Sequence, residues 1–365
     1  MIYLSSFSLS CIFAFFAEKN KNKFLSFFFT FLAIILLAIL GGGRDKIIGT
    51  DVLTYVMWEF ESNCTFKTLS DFINGRSLEF GYSLLNFCVT RFTDDYHFFL
   101  FISSVIMYSC FIIGIFTLSK RYNISSILPL LIFLLFFYNY SFNAVRQCIA
   151  MSILFAASYF LINRNFYIFS GFVIIATLFH SSGIIGFFIY HIYGYLYNKL
   201  SRKFNIFKYI CYVSIFFLFF SSLVIFFMNF GILPTRFSRY FTDNPVDVGG
   251  SLVGLSKLPM LIFSVFCFYK IKINNELKPF IFFCFLDFLL GLSKMWYGAV
   301  SRLSDYFCIF EIILYPYLIK NIFEFKSRYI VIFCSTLLFV VYWIYTIFVK
   351  NYHDTFPYIW SWSFF

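Results

Sequence analysis

The chain has 365 residues, of which 61% are hydrophobic and 12% charged, with a formal net charge of +11. Soluble domains carry about 25% charged residues, so the composition excludes an ordinary water-soluble protein and fits a polytopic membrane protein. The positive excess would suggest nucleic acid in a soluble chain; here it sits in short connections between apolar runs, which points to membrane lipids and excludes nucleic acid as a partner.

Apolar runs predict helices at 2–17 and 24–40, split by the polar stretch Glu18 to Lys23. A long amphiphilic loop follows at about 41–96. Further helices are expected at 97–118, 124–140, 144–162, 166–180, 183–197, 207–229, 257–270, 279–293, 303–319 and 329–349. The expected fold is all-α, a polytopic bundle of about twelve transmembrane helices forming a single transmembrane domain over 1–365. One set of alternate short loops holds 16 of the 28 lysines and arginines and is read as cytoplasmic. The loops at about 41–96 and 230–256 are then external, as are both termini. His180-Ser181-Ser182-Gly183 splits the apolar run 166–197, which is read as a hairpin of two short helices. The ten cysteines are scattered, with no CxxC pair, and read as small hydrophobes; Cys64 and Cys88 share one external loop.

Arg146 opens the helix 144–162 and His180 closes the helix 166–180, around the turn Asn163-Arg164-Asn165. They lie 18 residues before and 16 residues after Arg164, so an antiparallel hairpin puts them within about 3 Å of the same depth. Ionisable groups at membrane helices are costly and mark sites. Ala144, Cys148, Ser152 and Ala156 form a ridge of small residues that lets a neighbouring helix approach closely.

Arg44, Asp51, Tyr55 and Glu79 fall in the first external loop, and Arg302, Asp305 and Tyr306 at the external end of the helix 303–319. Glu311 is a second intramembrane carboxylate, and Asp287 could pair with Lys294 along one helix. Separated arginines on one face suit a diphosphate, because guanidinium forks bind phosphate oxygens without losing charge. Carboxylates and a histidine nearby are candidates to accept a hydroxyl proton. No metal-ligand spacing occurs, so no metal and no cofactor is expected.

Five ordered pieces carry a family resemblance: Arg44 with Gly49-Thr50-Asp51 and Tyr55; Glu79-Phe80-Gly81-Tyr82; Arg146-Gln147; Phe179-His180-Ser181; and Arg302 with Tyr306-Phe307. In these the chain resembles the EpsG/Wzy group of bacterial polysaccharide polymerases, with Phe80 where that group often has Pro. The resemblance implies a glycosyltransferase-C-like membrane enzyme of the bacterial cytoplasmic (inner) membrane. Such an enzyme moves a growing glycan from undecaprenyl diphosphate to a sugar hydroxyl of the next lipid-linked repeat, on the outer face. It implies undecaprenyl-diphosphate-linked oligosaccharide as substrate and a chain-length regulator as a further partner. It also implies diphosphate or substrate binding by Arg44, Arg146, Gln147, Arg302, Tyr55 and Tyr306, and catalysis by Asp51, Glu79 or His180. Asp51 or Glu79 is the favoured base, with His180 bonded to phosphate or sugar. The competing readings are a flippase for the same lipid-linked sugar, a membrane O-acyltransferase using His180, and an O-antigen ligase.

Overall fold

A computed structural model describes residues 2–200, 257–271, 273–292 and 302–363. The expected helix 207–229 and external loop 230–256 lie outside these residues, as do Ser301 and Lys294. The chain folds as two compact units, residues 1–187 with 323–365, and residues 188–322.

The first unit opens with α1 (Ile2–Lys19) and α2 (Lys23–Gly43). Asn22 starts α2 by accepting the Phe24 N–H at 2.9 Å through its side chain. α2 runs through Gly41, Gly42 and Gly43, three residues beyond the sequence expectation. A Cβ on Gly42 would lie 2.9 Å from the Phe101 Cα, so glycine here serves close approach to α6 (Tyr96–Arg121).

The stretch expected as a loop is largely helical. It holds a π-turn at Val52–Val56, α3 (Met57–Thr65), α4 (Leu69–Gly75) and α5 (Phe80–Val89). Thr68 and Asp71 form a reciprocal capping box that starts α4. Cys64 and Cys88 are both free thiols.

α7 (Ile127–Phe133) continues as a π-turn to Tyr138, and a short 3-10 turn leads into α8 (Val145–Ala156). α8 breaks at Ala157 before α9 (Ser158–Ile162). The small-residue ridge of α8 is buried at Cys148 and Ser152 and packs against α6. Asn165 caps α10 (Phe166–Phe179) by accepting from the Ile168 N–H, and α11 (Ile185–Leu200) follows. A Cβ on Gly183 would meet Ala176 and Thr177, and one on Gly186 would meet Val173. Those pairs are symmetric about the His180 break, so the chain reverses there. The break expected at His180 is present.

The unit closes with α16 (Phe325–Ile344) and a π-turn to Val349. The segment after it returns to the start of the chain. The Thr355 carbonyl accepts from the Tyr3 hydroxyl at 2.8 Å, the Thr355 hydroxyl from Asn139 at 2.9 Å, and the Gly43 carbonyl from Ser361 at 3.0 Å. Tyr3, Phe7, Tyr138 and Trp343 pack edge to face with centroids 5.1–6.2 Å apart. Lipid supplies no hydrophobic drive between helices, so ring contacts of about 0.5–1.5 kcal/mol each are a principal source of packing energy.

The second unit contains the rest of α11, then α12 (Leu258–Lys270), α13 (Lys278–Leu292), α14 (Asp305–Cys308) and α15 (Glu311–Ile322). The helix expected at 303–319 is therefore broken at Ile309–Phe310. Phe283 and Phe280 of α13 hold the broken helix through Phe307 and Phe310, with centroids 4.7–5.4 Å apart.

Among the described residues, four helices are long and apolar enough to cross a membrane: Ile2–Lys19, Lys23–Gly43, Tyr96–Arg121 and Lys326–Val349. Shorter apolar helices accompany them, and together they mark a multi-pass, all-α membrane protein.

Candidate functional site

In the first unit three separated sequence pieces meet around one carboxylate. Glu79 precedes α5, and a Cβ on Gly81 would lie 2.9 Å from the Leu178 carbonyl oxygen. Glycine therefore lets the start of α5 abut the end of α10, which carries Glu79 to the His180 turn. Glu79 Oε2 accepts from Arg146 Nη1 at 2.5 Å, and Oε1 accepts from the Ser181 N–H at 3.2 Å. Glu79 thus joins Arg146 to the turn that follows His180.

The Arg146 guanidinium lies 4.3 Å over the Tyr55 ring and 5.9 Å from that of Tyr82. A cation held between an aromatic face and a carboxylate keeps its charge and one fixed orientation. The Tyr55 hydroxyl donates to Asp51 Oδ2, which also accepts the Val145 N–H at 2.8 Å. Asp51 is buried, and its carboxylate sits at the N-terminus of α8, where the exposed N–H groups favour negative charge. Thr50 adds a second tie, its N–H donating to Asn143 Oδ1 at 2.8 Å. Asp51 thereby fixes the end of the helix that carries Arg146, and Gln147 is buried one position further along.

Arg44 lies deeper, 2% exposed. Its guanidinium donates to the Gly41 carbonyl at 2.5 Å and covers the Phe142 ring at 4.3 Å. His180 ends α10, and its Nδ1 meets the Ser182 N–H at 3.2 Å and the Ser182 hydroxyl at 2.6 Å.

Burial pushes the Glu79 carboxyl up, but the Arg146 charge and the Glu79 and Ser181 backbone N–H groups outweigh it and hold its pKa below the ordinary glutamate value. A depressed folded pKa means stability that is present above the unfolded value near ~4.3 and lost as pH falls through the folded value. The stability advantage of the wild type over Glu79→Gln is expected to be constant across neutral pH and to fade only in acid, below about pH 4.3. Unfolding midpoints of the two proteins in detergent, measured against pH, check this; an advantage that fades near neutrality contradicts it.

The second unit has its own charged cluster. Asp287 is fully buried and pairs with Lys257 Nζ at 2.5 Å; Lys294, the partner expected along the same helix, lies outside the described residues. Lys257 also donates to the Ser304 hydroxyl at 3.1 Å. Asp287, Cys308 and Glu311 bring one ligand-type atom each within 4.8 Å of one another, a grouping that no local spacing announces. Arg302 is exposed just ahead of α14, whereas Tyr306 is buried inside it.

Two features escape sequence reasoning. Glu59 is buried in α3, its carboxylate bonded by the hydroxyls of Ser77 at 2.7 Å and Ser83 at 2.6 Å. Its i, i+4 partner Asn63 is visible in the sequence; the two serines, 18 and 24 residues away, are not. Ser182 is the other, because only the tight turn folds it back onto His180.

Taken together, a multi-pass helical membrane protein carries a compact arginine–carboxylate–imidazole site at one end of a helical hairpin. The EpsG family model matches residues 29–360, and the chain belongs to the EpsG family, which is associated with exopolysaccharide biosynthesis. No curated protein and no solved structure matches it.

Proposed function

We propose that this protein is a polysaccharide polymerase of the bacterial cytoplasmic membrane, with about twelve spans in one glycosyltransferase-C-like transmembrane domain. The observation that carries the reading is Glu79, whose carboxylate joins the Arg146 guanidinium to the His180 turn. A fixed cation and an ionised carboxylate side by side suit transfer of a glycan away from a diphosphate.

The acceptor sugar hydroxyl attacks the anomeric carbon of the lipid-linked glycan. The new C–O bond forms as the anomeric carbon–oxygen bond to undecaprenyl diphosphate breaks. Glu79 takes the hydroxyl proton, and Arg146 offsets the charge gathering on the leaving diphosphate. Asp51 and Tyr55 hold Arg146 in place, and Gln147 lies beside it on α8. Arg44 supports the site by fixing the end of α2 ahead of the Asp51 segment. Arg302 and Tyr306 are assigned to substrate binding on the resemblance alone. Membrane lipids surround the protein, and a chain-length regulator is its proposed protein partner.

Deleting the gene and resolving the glycolipids of the source bacterium on a gel tests this reading. Collapse of a long ladder to a single repeat, restored by the wild-type gene, is the expected result. Loss of every repeat identifies a flippase or ligase, and an intact ladder lacking acyl groups identifies an acyltransferase.

A further inference from the structure

The turn after α10 spends three successive backbone N–H groups on three defined acceptors. Ser181 donates to Glu79 Oε1 at 3.2 Å, Ser182 to His180 Nδ1 at 3.2 Å, and Gly183 to the His180 carbonyl at 2.8 Å. A backbone N–H can only donate, so His180 Nδ1 must be the acceptor. A neutral imidazole with an accepting Nδ1 carries its proton on Nε2. The Ser182 hydroxyl, 2.6 Å from the same nitrogen, then donates to it as well. Both Ser182 donors therefore favour one tautomer.

Resting on the polymerase reading above, we propose that Ser182 is a positioning residue that holds His180 as its Nε2–H tautomer, so that His180 donates a hydrogen bond to a phosphate oxygen of the lipid diphosphate. In this state neither ring nitrogen can accept the sugar proton. Nδ1 is occupied by Ser182, and Nε2 already bears hydrogen. The two roles otherwise open to His180, base or phosphate donor, are separated by this turn. The proton falls to Glu79, the carboxylate bonded to the neighbouring N–H of the same turn.

Full-length protein labelled with 15N-histidine in lipid nanodiscs gives the test, through long-range 1H–15N correlation at neutral pH. Three other histidines are present, His97, His191 and His353, so the His180 signals are assigned by their loss in His180→Gln. The wild type is expected to show Nε2–H for His180. Ser182→Ala removes the hydroxyl donor; it is expected to mix the tautomers and to lower chain extension roughly five- to tenfold, the size of one net hydrogen bond. Ser182→Thr, which restores a hydroxyl, is expected to recover both. An Nδ1–H or doubly protonated ring in the wild type overturns the proposal, as does a Ser182→Ala loss of activity with an unchanged tautomer. The tautomer is read without turnover, so a failed ladder test of the polymerase reading stays distinguishable from a failure here.

Discussion

Arg146→Ala is expected to abolish long-chain glycan, lowering chain extension by about 100-fold or more, the scale seen when one preorganised transition-state donor is removed. The arginine occupies a site in which each neighbour fixes it from a different side. Glu79 bonds its Nη1 at 2.5 Å, Tyr55 lies 4.3 Å beneath it, and Asp51 anchors the first N–H of the helix that bears it. Little reorganisation is left for the reaction, which is why this one cation carries so much of the expected effect. Arg146→Lys keeps the charge but loses the planar fork and much of the ring contact, so it is expected to fall between wild type and alanine. Gel ladders from cells complemented with each variant, normalised to membrane levels of the protein, provide the measurement. A full ladder in Arg146→Ala at normal levels excludes the assignment.

Hydropathy made most of the helical framework legible. Helix positions follow the apolar runs to within a few residues, and the His180 break was readable from Ser181, Ser182 and Gly183, which cannot extend an apolar helix cheaply. Gly41 to Gly43 misled for a physical reason. Three glycines signal a helix end in water, yet in a membrane bundle they permit the approach of α6 and stay helical. The stretch 41–96 read as a loop because its short helices are amphiphilic, although the Thr68–Asp71 capping box was a local signal for one of them.

The site was legible as a set of residues and illegible as an arrangement. Arg146 and His180 could be placed at one depth by counting residues along a hairpin. That Glu79 would join them depends on Gly81 meeting the Leu178 carbonyl, a contact 97 residues apart in a chain of 365. Asp51 read as a candidate base because it is acidic; its burial and its bond to the Val145 N–H argue instead for a helix anchor. The C-terminal segment was invisible for the same reason, since Thr355 finds Tyr3 at a separation of 352 residues.

Lys257→Met is expected to destabilise the second unit by about 3–5 kcal/mol, the usual consequence of stranding one member of a buried ion pair. Asp287 is fully buried, and Lys257 Nζ at 2.5 Å is the cation beside it among the described residues. Without that cation the fully buried carboxylate faces Glu311 and Cys308, whose ligand-type atoms lie within 4.8 Å. The double variant Lys257→Met/Asp287→Leu removes both charges and is expected to regain most of the loss, because buried pairs replaced by apolar residues of similar size are often near neutral in stability. Thermal unfolding in detergent, followed by the monodisperse fraction after heating, separates the cases. Equal losses in the single and double variants would mean that the pair is held for its shape and hydrogen bonds to Ser304, and that charge compensation is a minor part of its contribution.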